Sequence, residues 1–241
     1  NEAELGNVDY AMIPIENSAA GRVADIHRLI PKSNLHINFE HFQKVEHKLL
    51  IHPDSKIENI KNILSHEQAL AQCSDKIQKL DLNILIGADT AGSAKTISDE
   101  KILDTAAIAS SLAGKTYGLK VIDENFANSL NNITRFYVMS KNENLEFDKK
   151  KTYISSFLFS VKNTPGSLFK VMGGFATNNV NMIKLESYNY GADFVITQFY
   201  CEIEGHPEQD NTKFALDDMY HYCSKVRKLG VFEKSPYRVR Q

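Results

Sequence analysis

Polar residues recur where a strand-like apolar run hands over to a helical pattern. Asn17 and Ser18 follow Tyr10 to Ile15, Ser65 and His66 precede Leu70 and Cys73, and Asp89 and Thr90 follow Ile84 to Ala88. Helix N-termini carry unpaired N–H groups and partial positive charge, so several such turns converging on one cleft would bind carboxylates without a full cationic partner. Taken singly, each of these residues is an ordinary helix cap. Thr134 lies in a further apolar run, Asn132 to Met139, beside Arg135. Successive strand residues face opposite ways, so in a regular strand these two cannot serve one substrate group. On pattern alone, Thr134 is explained by β-propensity. Two superficial motifs fail. His66-Glu67 lacks the second histidine of a zinc helix, since position 70 is Leu, and Gly114-Lys115-Thr116 lacks the earlier glycine of a phosphate loop, since position 109 is Ala.

The elements that would position these residues alternate over the first two thirds of the chain, which argues for α/β architecture with largely parallel strands. Strands are expected at Tyr10 to Ile15, Lys48 to His52, Ile84 to Ala88, Leu119 to Ile122 and Asn132 to Met139. Helical spacing links Val23, Ile26, Leu29 and Ile30, and again Ile57, Ile60 and Leu64. Ser65 to Gln68 has the form of a capping box with Ser65 at the N-cap, opening a helix striped by Leu70, Cys73, Ile77 and Leu80. An Ala-rich helix is expected from about Asp104 to Leu112. The polar stretch Ser140 to Lys151 reads as a linker, and the rhythm then changes. Strand Tyr153 to Val161, helix Leu168 to Asn178, strands Val180 to Tyr188 and Phe194 to Ile203, helix Lys213 to Cys223 and strand Val226 to Phe232 form the order βαββαβ, a ferredoxin-like split unit.

Composition narrows the function class. At 241 residues with 42% hydrophobic and 24% charged residues, the chain is globular and long enough for two domains. A net charge of −2 with scattered Lys and Arg excludes the electrostatic footprint of a nucleic-acid or anionic-membrane binder. Three widely spaced cysteines fit neither a disulfide framework nor a metal cluster and read as buried small apolar residues in a reducing compartment. No apolar run reaches a membrane span and no signal peptide opens the chain, so the expected location is cytoplasmic.

Asp9 to Ser18, Ser65 to Cys73 and Asn131 to Phe136 closely resemble, in order and spacing, prephenate dehydratase, as do Thr90-Ala91 and Tyr117-Gly118-Leu119. The later region resembles an ACT regulatory domain through Gly166-Ser167-Leu168 and Leu185-Glu186-Ser187. The resemblance implies a two-lobed, periplasmic-binding-protein-like (type II) catalytic domain over 1–145, N-terminally incomplete because the family's opening strand and Gly-Thr-rich loop are missing, and a ferredoxin-like ACT domain over 151–235. Two departures stand out. The family's Gly-Ala-Leu is here Gly-Ser-Leu, and Glu-Ser-Arg-Pro is Glu186-Ser187-Tyr188-Asn189.

The implied reaction is decarboxylating dehydration of prephenate to phenylpyruvate in phenylalanine biosynthesis. It needs no redox step or electron sink, so no cofactor and no metal are implied. The resemblance assigns Thr134 to the leaving hydroxyl, with Glu16 or His66 as proton source, and Asn17, Ser18, Ser65, Gln72, Thr90 and Arg135 to the substrate. Phenylalanine is the implied effector, held by Gly166, Ser167, Leu168, Glu186 and Ser187 in a homodimer or homotetramer. An isolated βαββαβ sheet leaves one face or edge needing cover, which a second copy would supply. Arogenate dehydratase and a non-catalytic amino-acid sensor are the rival readings.

Overall fold

The structure, a computed structural model, describes residues 2–23, 29–129, 131–144, 146–190 and 196–240. It divides into two compact units, residues 1–16, 22–42 and 135–241 forming one and residues 17–21 and 43–134 the other. The chain passes between them four times, within strands β1 (Ala11–Asn17), β2 (Gly21–Arg22), β3 (His36–Lys44) and β9 (Ile133–Ser140).

The second unit is built on a five-stranded sheet of order β6-β5-β7-β4-β8, comprising β4 (Lys48–Ile51), β5 (Asn62–Ser65), β6 (Asn83–Ile86), β7 (Thr105–Ala109) and β8 (Lys120–Asp123). The sheet is mixed rather than largely parallel. β5 runs parallel to β6 and β7, whereas β4 is antiparallel to β7 and β8. Two expected helices are strands. The alanine-rich stretch forms β7, fully buried at every position, with Ala106 and Ile108 entering one core and Ala107 and Ala109 the other. Helix propensity is overridden there because a central strand covered on both faces excludes water from its backbone, and small side chains let both layers approach. Leu64 belongs to β5 for the same reason: Ile63 and Ser65 are fully buried on that strand, and only a single 3-10 turn, Ile57–Asn59, precedes it. The Ser65 helix is two short ones, α2 (Glu67–Gln72) and α3 (Ser74–Leu80), broken at Cys73, and its cap is His66. Ile26, part of the first helical pattern, lies outside the described residues.

In the first unit, two sheets face each other. One has the order β2-β1-β9-β3, with β2 at Gly21–Arg22; the other has the order β11-β12-β10-β13. The second contains β10 (Tyr153–Val161), β11 (Met182–Tyr190), β12 (Ile196–Glu204) and β13 (Cys223–Glu233), with helices α6 (Ser167–Thr177) and α7 (Asp210–Tyr222) at the positions expected of βαββαβ connectivity. Between α3 and these come α4 (Thr90–Asp99) and α5 (Ser111–Thr116), and a short α1 (Glu2–Leu5) opens the chain. Expected strand residue Phe194 lies outside the described residues.

β10 is a middle layer. Phe157 and Phe159 pack with Val171, Phe175, Ala215 and Met219 of the helices, while Ile154 and Leu158 pack with Ile15, Ile37 and Tyr137 of the first sheet. The approach is close enough that a Cβ at Gly230 would lie 2.1 Å from the Ile37 carbonyl oxygen. Of the face or edge expected to need cover from a second copy, this face is covered by the chain itself, and β11 and β13 are the sheet's edge strands among the described residues. Strand β3, which supplies this packing, was not anticipated. All three cysteines are buried and free.

Candidate active site

The carboxyl ends of the parallel strands β5, β6 and β7 lie at one edge of the five-stranded sheet, and a helix starts after each. His66 caps α2, accepting from the Gln68 N–H at 3.2 Å; Asp89 caps α4, accepting from Gly92 at 2.6 Å; Ser110 caps α5, accepting from Ala113 at 3.2 Å. Antiparallel β4 begins at this edge, since Lys48 pairs with Ala109, and so places His47 there. This is the end of an α/β sheet at which ligands collect.

Here the structure joins several side chains into one chain of hydrogen bonds. His47 Nε2 lies 2.8 Å from Gln72 Oε1, which also accepts from Asn132 Nδ2 at 2.7 Å. Asn17 Nδ2 donates to Asn132 Oδ1 at 2.7 Å and to Thr134 Oγ1 at 2.9 Å. Because Gln72 Oε1 accepts, His47 must carry its proton on Nε2. Asn17 is itself fixed, its Oδ1 accepting from the N–H groups of Ala19 and Ala20 at 2.9 and 2.8 Å. Thr134 Oγ1 accepts from Asn17, so its own proton is available to a ligand. Of the two glutamines one turn apart on α2, half-buried Gln72 joins this chain and Gln68 is exposed. Asn132 and His47, buried at 2% and 7% exposure, were not singled out from sequence. Asn132 stands two residues before Thr134 on the same side of the strand, a spacing that marks it; His47 carries no comparable signal.

The other expected residues have different surroundings. Ser18 ties down the loop before β9, its hydroxyl donating to the Asn131 carbonyl at 2.7 Å and accepting from the Ile133 N–H at 2.9 Å. Ser65 is fully buried and donates to the Ile108 carbonyl at 2.7 Å across to β7. His66 is exposed, and Thr90 opens α4 half-buried. Since Ser65 is not the cap, Ser65→Ala should act through the sheet: leaving the buried Ile108 carbonyl unpaired should cost about 1–3 kcal/mol in a denaturant melt, with α2 helicity unchanged. Full stability would show that the bond contributes nothing.

Arg135 and Glu16 do not join the amide chain. Arg135 is 2% exposed, and its guanidinium reaches Glu40 at 2.9 Å, Glu16 at 3.0 Å and Glu202 at 3.0 Å. Strand alternation is the cause, because Arg135 follows Thr134 and Glu16 precedes Asn17. Burial alone would raise the Glu16 carboxyl, but Lys184 and Arg135 outweigh it and hold it below the ordinary carboxylate value. An acid held ionised is a poor proton source near neutrality.

In the βαββαβ part, Gly166 takes a left-handed φ of 75° immediately before α6, Ser167 is buried with its hydroxyl 2.6 Å from that of Thr164, and Leu168 packs on the helix core. Glu186 and Ser187 lie on edge strand β11, with Glu186 paired to Lys184 at 3.4 Å and Arg22 at 3.7 Å. Among the described residues no group of three His, Cys, Asp or Glu could hold a metal ion, and no helix is long and apolar enough to cross a membrane.

Comparison with known proteins bears on this geometry. The prephenate dehydratase family model matches residues 1–144. The chain is 40% identical over 233 residues to the bifunctional N-acyl-homoserine lactone acylase/prephenate dehydratase of Komagataeibacter europaeus, covering 97% of this chain and 83% of that one. It is 34% identical to arogenate dehydratase/prephenate dehydratase 1 of Arabidopsis thaliana, covering 95% of this chain and 62% of the relative. Among solved structures it resembles GqqA, described as a novel type of quorum quenching acylase, with TM-score 0.89 and 39% identity over 98% of this chain and 86% of that one. It also resembles the prephenate dehydratase of Arthrobacter aurescens in complex with L-Phe, with TM-score 0.85 and 26% identity over 97% and 78%. The α/β fold, the ordered motifs and a match over more than half its length agree: the chain belongs to the prephenate dehydratase family.

Proposed function

We propose that the chain converts prephenate to phenylpyruvate, releasing the ring carboxylate as CO2 and the ring hydroxyl as water. The observation that carries this reading is the amide chain from His47 through Gln72, Asn132 and Asn17 to the Thr134 hydroxyl. The departing carboxylate loses its charge, so a tight cationic clamp would favour the ground state over the transition state, and neutral donors suit it better. The electrons of its C–C bond flow into the ring as the C–O bond breaks, and the leaving oxygen gains negative charge. A hydrogen bond from Thr134 to that oxygen therefore strengthens as the reaction proceeds. Asn17, donating to Thr134 Oγ1, makes the Thr134 proton a better donor by polarising the O–H bond. Thr134 orients rather than ionises; the proton that completes the water comes from His66 or solvent. Gln72, through its Nε2, and Thr90 contact substrate oxygens, whereas Asn17, whose two N–H groups go to Asn132 and Thr134, acts by holding Thr134; Ser18 and Ser65 hold the frame.

Residues 1–145 are the catalytic domain in this reading and 151–235 an ACT regulatory domain that binds phenylalanine. The Arthrobacter relative's L-Phe complex supports the choice of effector. β11 is an edge strand, and its Leu185 and the neighbouring Met172 are exposed, so a homo-oligomer formed through that edge would cover them. Gly166→Val should abolish saturable phenylalanine binding in titration calorimetry, because φ of 75° is strained for a β-branched residue. Binding by this variant as tight as the parent's would remove Gly166 from the effector site.

The test of the reading is a side-by-side assay of the full-length gene product on prephenate and arogenate, with products identified by mass. Phenylpyruvate from prephenate supports the proposal; phenylalanine from arogenate alone reassigns the substrate; a folded protein that binds phenylalanine but turns over neither is a sensor. The 40% identity to the Komagataeibacter protein favours a second reading, amide hydrolysis of N-acyl-homoserine lactones. The cysteines do not support it as nucleophiles, since burial pushes the thiols of Cys73 and Cys223 up to about 12 and about 11. Release of free homoserine lactone in the same preparation would establish the second activity.

A further inference from the structure

Glu16 precedes Asn17 in β1, and Arg135 follows Thr134 in β9, so each site residue has a charged neighbour on the opposite side of its strand. Those neighbours are held by the βαββαβ sheet. Lys184 of β11 donates to Glu16 Oε2 at 2.5 Å, while Glu202 of β12, fully buried, receives Arg135 at 3.0 Å together with the hydroxyls of Tyr200 at 2.7 Å and Tyr137. Lys184 also pairs with Glu186, the β11 residue expected to meet the effector, and Glu186 with Arg22, whose guanidinium stacks over the Tyr188 ring at 5.3 Å. The route from Glu186 to the Asn17 amide thus has two ion pairs and one peptide bond: Glu186 to Lys184, Lys184 to Glu16, Glu16 to Asn17.

We propose that Lys184 is a positioning residue: by holding Glu16 it fixes the Asn17 amide against the Thr134 hydroxyl, so that a movement of β11 is felt at the active site. The regulatory half of this statement rests on the proposed function; the positional half does not. Of the two links, Lys184 is the separable one. Its side chain is 14% exposed and Glu16 is 37% exposed, whereas Arg135 and Glu202 are buried at 3% and 1%. An ion pair at partial exposure contributes little to stability, so its removal should be read in geometry rather than in folding.

The experiment combines a spectrum with kinetics on the full-length protein. In 15N spectra, Lys184→Met should shift the Asn17 side-chain amide signals and leave those of Asn62 and Asn83, on the other sheet, in place. Lys184→Arg, which keeps the charge, should restore most of the shift. Turnover should fall about 10-fold at near-constant KM, the scale of a modest misalignment of a reacting group. Adding Lys184→Met to Glu16→Gln, which also loses the Arg135 pair, should cost nothing beyond Glu16→Gln alone, because Lys184 acts through Glu16. Where phenylalanine inhibits the parent, the inhibition should weaken in Lys184→Met. Unmoved Asn17 signals, or losses that multiply in the double variant, would overturn the proposal. A parent inactive on prephenate would sink the functional reading instead, with the spectra still deciding the positional claim.

Discussion

Thr134→Val should lower kcat by about 100-fold or more while leaving the fold intact, the scale of losing one donor aimed at developing charge. Valine keeps the β-branched shape and strand propensity, and Thr134 is only half-buried, so packing changes little. What disappears is the hydroxyl that accepts from Asn17 and that, in the proposed reaction, donates to the leaving oxygen. KM should change much less than kcat, because the interaction forms mainly in the transition state. Thr134→Ser keeps the hydroxyl and should recover most of the rate. A Thr134→Val enzyme with parental kcat would remove this residue from the chemistry and leave its bond to Asn17 as ordinary strand packing.

The second large effect concerns stability. Arg135→Leu should destabilise the protein by about 3–5 kcal/mol, because it strands Glu40 and Glu202 as buried carboxylates while Arg238 supplies only part of their compensation. For a chain of this length that corresponds to a fall in Tm of about 6–20 °C. The pH dependence gives an independent check. Burial would raise Glu202, but Arg135 and the two tyrosine hydroxyls hold its carboxyl below the ordinary 4.5. A lowered folded value means that the parent's stabilisation is present above the unfolded value, about 4.5, and is lost as pH falls through the folded one. Without Arg135 the Glu202 carboxylate takes up a proton more readily, so the gap between variant and parent should narrow from pH 8 to pH 5. The groups facing this cluster are Glu16, Lys184, Tyr137, Tyr200 and Arg238. A gap constant with pH would mean that Arg135 stabilises by packing alone.

These two neighbours show what local sequence conveys and what it does not. Alternation along a strand predicts that Thr134 and Arg135 face apart, and they do; nothing local shows that Arg135 meets Glu202, 67 residues further on. The βαββαβ order was legible because each element carries its own periodicity and turn chemistry, Gly166 included. The alanine run Thr105–Ala109 was not, since its strand state comes from burial between two layers, and alanine by itself favours helix. Strand β3 was missed although His36, Asn38 and Glu40 alternate with Ile37 and Phe39; its buried polar residues blunt the pattern. At the site, Asn17, Gln72 and Thr134 emerged from motif resemblance. His47 did not, because it precedes an apolar strand with no distinguishing spacing and acquires its partner only when β4 runs antiparallel to β7.

The central claim is that this site couples loss of the ring carboxylate to loss of the ring hydroxyl in one aromatisation. The most direct measurement follows CO2 and phenylpyruvate together, using the full-length gene product and prephenate labelled at the ring carboxylate. The account predicts one CO2 for each phenylpyruvate throughout the time course, with both rates falling in parallel in Thr134→Val. Labelled CO2 without the aromatic keto acid, or a folded protein that releases neither product, would contradict it.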